Sequence, residues 1–245
     1  NATAGGIGVR QIADSTTGTI TNQNGGVVDA TVIGVFGNGK FVNNASLVDA
    51  NLAGQIGVTG SGSFVNKNGG WLFNPNHAGG ELTVSDQASL TNADSGGVAN
   101  ATAGALSGVS TIFGTVATSG QGTFTNSGNV EGNVTVGGNS SVTNTGVIEH
   151  PASGDVVALD GNGEFDNTSS GGVGSAKGQV IGDVQVGSAD SDTASFTNEK
   201  GASITGDVHV DGNANSGVAG VNGYNFLNTA TSSVTTIPIS ATGAA

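Results

Sequence analysis

One short motif constrains this chain more than anything else in it. A glycine turn leads into phenylalanine, and asparagine follows two residues later. It appears as Gly37-x-Gly39-x-Phe41-x-Asn43, Gly60-x-Gly62-x-Phe64-x-Asn66, Gly120-x-Gly122-x-Phe124-x-Asn126 and Gly161-x-Gly163-x-Phe165-x-Asn167. With the aromatic position relaxed, it continues at Ile20-x-Asn22, Leu90-x-Asn92, Val142-x-Asn144, Phe196-x-Asn198 and Phe226-x-Asn228. A second element, Gly132-x-Val134-x-Val136, recurs as Gly182-Asp183-Val184-x-Val186 and Gly206-Asp207-Val208-x-Val210. Self-similarity at roughly 20 residues marks a solenoid, because one such unit cannot bury its own apolar side.

Alternation of apolar and polar residues within each motif predicts short strands with one side inward. Three strands per unit, stacked unit on unit, give an all-β fold. It is read as a single right-handed parallel β-helix of about nine coils with loop insertions, the hand following from the right-handedness of parallel crossovers. In that fold Phe41, Phe64, Phe124, Phe165, Phe196 and Phe226 form an interrupted aromatic stack. The asparagines Asn43, Asn66, Asn126, Asn144, Asn167 and Asn198 share their inward parity and link successive coils through their amides. The glycines before phenylalanine supply positive φ at the corners.

The shortest interval, 18 residues from Phe124 to Val142, is a bare coil, and longer intervals carry loops. The longest, 34 residues from Leu90 to Phe124, contains the Gly, Ala, Ser and Asn run of Ser95–Ser110. Residues 1–245 read as one solenoid domain, with terminal segments 1–15 and 231–245 serving capping or subunit contacts. Those segments carry Ile7, Val9 and Ile12 at one end and Val234, Ile237 and Ile239 at the other. With no evident polar cap, these residues are the candidates for self-association.

Composition excludes several classes. Only five residues are basic against a net charge of −13, and they are scattered, so nucleic-acid binding is rejected. No apolar run is long enough to span a bilayer. The chain lacks methionine and begins Asn1-Ala2-Thr3, which leads to the expectation of a removed signal peptide and a secreted, extracellular or cell-surface location.

Chemistry-bearing patterns are few. Asp160-x-Asn162-x-Glu164-x-Asp166 alternates oxygen ligands as calcium loops do, but the equivalent turn at Gly37–Phe41 carries Lys40. Calcium is the one possible cofactor, and structural turn is the preferred reading. The position after the glycine of G-x-V-x-V is held by Gln55, Glu81, Asn133, Asp155, Asp183 and Asp207. Adjacent coils would place Asp183 and Asp207 about 5 Å apart. That resembles a glycosidase pair or half a cation site, against the plainer reading of a solvated turn ladder. Trp71 lies several coils from that pair. His77, His150 and His209 show no metal spacing, and no G-x-S-x-G nucleophile motif occurs. No catalytic residue is assigned, and the chain is read as no enzyme.

The unit F-x-N-x-G-x-Φ-x-G-[DN]-V-x-V-G resembles the repeats of bacterial autotransporter passengers and filamentous-haemagglutinin-like surface adhesins over roughly residues 16–230. The resemblance implies a bacterial surface or matrix protein used in adhesion, scaffolding or biofilm. Within these 245 residues neither the C-terminal membrane β-barrel nor the protease motif of those families is read, which leads to the expectation of a released passenger or a self-contained subunit. The leading expectation is a non-enzymatic subunit that assembles head to tail with its own copies into a filament. A monomeric adhesin binding glycans is the alternative, and a carbohydrate-active tailspike-like enzyme comes third.

Overall fold

A computed structural model describes residues 7–9, 18–23, 26–44, 47–73, 80–93, 109–150, 155–169, 178–187, 193–199, 201–210, 225–228, 233–234 and 240–241. Among them there is no helix, and every strand pairing is parallel. Each strand pairs with its counterpart one repeat later, the arrangement of a parallel β-helix.

The Φ-x-Asn strands form one sheet of nine, from Thr19–Gln23 through Thr123–Asn126 to Asn225–Asn228. Its register never slips at the motif. Phe64 pairs with Leu90, Leu90 with Phe124, Phe124 with Val142, Val142 with Phe165, and Phe165 with Phe196. Phe226 and Asn228 hold the next register position, beside Phe196 and Asn198. A one-residue slip would turn every phenylalanine outward, so burial on one side fixes the register.

The remaining strands make two further columns per repeat, fused into one sheet through the long strands Val27–Val35 and Leu47–Val58. Thr111–Phe113, Asn129–Glu131 and Val147–Glu149 stack in one column, and Thr115–Thr118, Val134–Val136 and Asp155–Leu159 in the other. The Thr115–Thr118 rung escapes a search for paired apolar residues because Thr118 stands where the rungs on either side have Val84 and Val136. Its buried hydroxyl is accommodated by a 2.8 Å bond with the Ser140 hydroxyl.

The interior is narrow and continuous. Phe41, Phe64, Phe124, Phe165 and Phe196 are all buried, with Phe41 on Phe64 and Phe165 on Phe196 stacked at 4.8 Å. Leu90 and Val142 interrupt the aromatic column, as their motifs require. The turn entering these strands shows which glycine needs its freedom. It is the first residue of the turn: Gly37, Gly60, Gly120 and Gly161 of the G-x-G pairs, and Gly138 of Gly138-Asn139-Ser140, all have φ between 60° and 68°. Asp86 takes this place at φ 59°, one of the few side chains tolerant of that region, and its carboxylate accepts the Gly60 N–H at 3.1 Å. The second glycine answers to space instead: a Cβ on Gly122 would sit 2.6 Å from the Val84 carbonyl oxygen.

Insertions leave this frame intact. Despite the 34-residue interval, Ser89–Asn92 and Thr123–Asn126 are immediate neighbours. Trp71–Leu72 likewise pairs with Thr111–Ile112.

Candidate functional site

The inward asparagines form a single hydrogen-bonded ladder. Asn22 donates to Asn43 (3.0 Å), Asn43 to Asn66 (2.9 Å), Asn66 to Asn92 (2.9 Å) and Asn92 to Asn126 (2.8 Å). The series continues from Asn126 to Asn144 (2.8 Å), Asn144 to Asn167 (2.9 Å) and Asn167 to Asn198 (2.8 Å). In every step Nδ2 of one rung donates to Oδ1 of the next, so the amide dipoles all point the same way along the stack.

The amide nitrogens also donate to turn carbonyls: Asn66 to Gly70 (2.8 Å), Asn92 to Asn129 (3.0 Å) and Asn126 to Gly128 (3.3 Å). Gly70 and Gly128 also accept backbone N–H groups of the next rung, from Thr111 (2.9 Å) and Val147 (3.0 Å), so the amides give these buried oxygens a second donor. Asn43, Asn66, Asn92, Asn126, Asn144, Asn167 and Asn198 are all fully buried. The same motif thus builds both the apolar column and its polar wall.

The calcium-loop residues are all exposed. Asp160 is exposed at the turn and accepts the Gly161 N–H at 2.9 Å. Asn162 donates sideways to Asn139 on the neighbouring rung (2.9 Å) and accepts from the Thr193 hydroxyl. Glu164 and Asp166 lie on the outer face of the following strand. Burial pushes the Asp166 carboxyl above its ordinary value, helped by the Glu199 and Glu164 charges and opposed by a hydrogen bond from Thr197. Among the described residues, no group of three or more His, Cys, Asp or Glu side chains could hold a metal.

The acidic position of the third column is in register. Asp155 pairs with Asp183 across a bulge that tucks Val156 inward, and Asp183 accepts the backbone N–H of Asp207 at 2.9 Å. That bond makes Asp183 a link between turns, the plainer of its two readings. Of the self-association candidates, Ile7 and Val9 pair with Ile33 and Val35 of their own chain, and Val234 with Ile204. Ile12, Ile237 and Ile239 lie outside the described residues, as does His77.

A different group comes together on the outer side of the middle column. Trp71 is about a third exposed, and its ring meets that of Phe113 edge-on at 5.5 Å between centroids. In register with Phe113 come Glu131 and then Glu149. Burial, and behind it the Glu149 charge, pushes the Glu131 carboxyl above its ordinary value. Asn129 donates to Glu131 Oε1 at 3.2 Å, while its own Oδ1 is buried with no hydrogen-bond partner.

Sequence reasoning passed over this face because Trp71 and Phe113 are 42 residues apart. Glu131 and Glu149 were findable: they are separated by 18 residues, the bare coil length that also places Asn126 beside Asn144. No family model matches the chain, and neither a curated protein nor a solved structure matches it.

Proposed function

We propose that this chain is a non-enzymatic structural protein of the bacterial exterior, a right-handed solenoid of about nine coils that assembles head to tail into a surface or matrix filament. The one-way asparagine ladder carries this reading. Because Nδ2 always faces the next rung's Oδ1, a second copy can extend the ladder only in the same orientation. Reversed copies would oppose like ends of the amides. A same-sense joint is heterologous, and heterologous joints that do not close give open filaments.

The sheet edges suit such a joint. Among the described residues, Thr19–Gln23 and Asn225–Asn228 are the outermost strands of the nine and each is paired on one side. Stacked in the observed register, they would set Phe226 against Ile20 and Asn228 against Asn22 of the next copy, continuing both columns.

Negative-stain electron microscopy of the purified protein at rising concentration tests the proposal. Unbranched filaments one solenoid wide are expected. Monodisperse particles at every concentration would replace the filament with the monomeric adhesin.

A further inference from the structure

We infer that the outer face of the nine-stranded sheet is an interface for a second copy of this chain, packed face to face and running antiparallel along the solenoid axis. Charge is sorted along that face, whose outward positions are the first, third and fifth of each strand. Near the N-terminal end they carry Lys40 on the second rung and Lys67 on the third. Near the C-terminal end they carry Glu164 and Asp166 on the seventh rung, with Glu199 one residue past the eighth strand. Between the two ends, the first and third positions hold only Ser89, Thr91, Thr123, Thr125, Ser141 and Thr143. Among the described residues the face carries no other charge; Lys177 and Lys200 lie outside them.

The three carboxylates crowd one another. Burial, with the Glu199 and Glu164 charges behind it, holds the Asp166 carboxyl above its ordinary value. Cations brought to this end relieve that repulsion. A two-fold axis laid along the fifth strand, Thr123–Asn126, supplies them. It exchanges the second rung with the eighth and the third with the seventh. Lys40 of one copy then faces the Glu199 rung of the other, and Lys67 faces the Glu164 and Asp166 rung. Symmetry makes each contact twice. A two-fold along the solenoid axis would instead oppose lysine with lysine and carboxylate with carboxylate, so charge selects the antiparallel pair. The net charge of −13 on each copy opposes association only weakly at a distance, because exposed charges are screened beyond about 8 Å at physiological salt.

Shape and size agree. No pairing along this sheet slips or bulges, so its short Ser and Thr side chains make an even surface for a second sheet about 10 Å away. Nine strands about 4.8 Å apart and some 16 Å long cover roughly 650 Å² on each copy. The pair buries roughly 1,300 Å², within the range of specific interfaces. Because the face is lateral, the pair does not depend on the head-to-tail joint.

The chain has no cysteine, so a single introduced thiol reports on the geometry. Thr125→Cys, an exposed substitution of similar size, lies on the two-fold and should meet its own counterpart; a short bismaleimide then links two chains. Thr21→Cys, whose rung faces the ninth, and Thr135→Cys, exposed on another column, should each link at least about tenfold less. In the Thr125→Cys background, Lys40→Glu/Lys67→Glu should lose the link, and so should Glu164→Lys/Glu199→Lys. Mixing the two charge variants should restore it, which misfolded chains could not do. Linking at Thr125 no greater than at Thr135, equal linking at Thr21, or a mixture that stays unlinked overturns the inference. Filaments without Thr125 links would overturn the pair and leave the head-to-tail reading standing, whereas links without filaments would do the reverse.

Discussion

Asn126 and Asn129 are three residues apart, are both buried, and are treated oppositely by the fold. Asn126 belongs to the ladder: it accepts from Asn92 and donates to Asn144 and to the Gly128 and Val147 carbonyls. Asn129 sits one strand later on the outer side of the middle column, gives one bond to Glu131, and leaves its oxygen unpaired. Residue type and burial alone therefore say little about what an asparagine does here. Position in the repeat decides it. On the inner wall an amide meets its own kind every coil and is satisfied by repetition. On the outer face no such partner recurs, and the acceptor is left unpaired.

The comparison can be broken most severely by placing a charge in the ladder. Asn126→Asp retains the acceptor for Asn92 but loses every donor and faces the Asn144 oxygen. About 3–5 kcal/mol of destabilisation is expected at neutral pH, from an uncompensated buried charge. Such a carboxyl is raised in the folded state. Its penalty is absent below the unfolded value, grows as pH climbs toward the folded value, and is full above it. The gap to wild type in thermal melts should therefore narrow on acidification; a gap constant with pH would mean that the site is wet.

Phe124→Ala removes the apolar member of the same rung, and about 3–5 kcal/mol of loss by denaturant titration is expected. A cost near that of a surface substitution would remove Phe124 from the core column.

The outer face should respond weakly and with the opposite sign. Glu131 is raised by burial and by Glu149. The charged form is thus disfavoured in the fold, and stability falls as pH rises through its elevated value. Glu131→Gln keeps an oxygen for Asn129 and removes the repulsion, so a gain of about 0.2–1 kcal/mol near neutrality is expected. That gain should vanish on acidification below the carboxylate range. A loss at neutral pH would show that the carboxylate is held by a partner that stabilises its charge.

The repeat was legible because its parity is strict. Phe124 and Asn126 share a face two residues apart, and the same spacing in nine places leaves one register in which all bury together. The direction of the amides followed from geometry that spacing does not carry. Thr118 hid a rung, since a hydroxyl can replace a valine once Ser140 meets it. The Asp160–Asp166 alternation suggested a cation loop; on the strand the same alternation is what places Glu164 and Asp166 on the exposed outer face and Phe165 and Asn167 inside. The Trp71 face was hidden for the reverse reason: the chain leaves and returns to the same column, so residues distant in sequence become adjacent rungs.

The central claim is that repetition of the amide, more than its burial, stabilises the solenoid. Thermal unfolding of Asn126→Ala and Asn129→Ala, measured side by side, addresses it directly. Asn126→Ala takes one partner each from the Asn92 amide, the Asn144 oxygen and the Gly128 and Val147 carbonyls, at a cost of about 1–3 kcal/mol. Asn129→Ala removes an acceptor that was already unpaired together with one long bond to Glu131, and the two changes offset, for a net cost of less than about 1 kcal/mol. With roughly 2–4 °C per kcal/mol for a chain of this size, the Asn126 variant should melt several degrees below the Asn129 variant. Equal melting temperatures, or the reverse order, would contradict the claim.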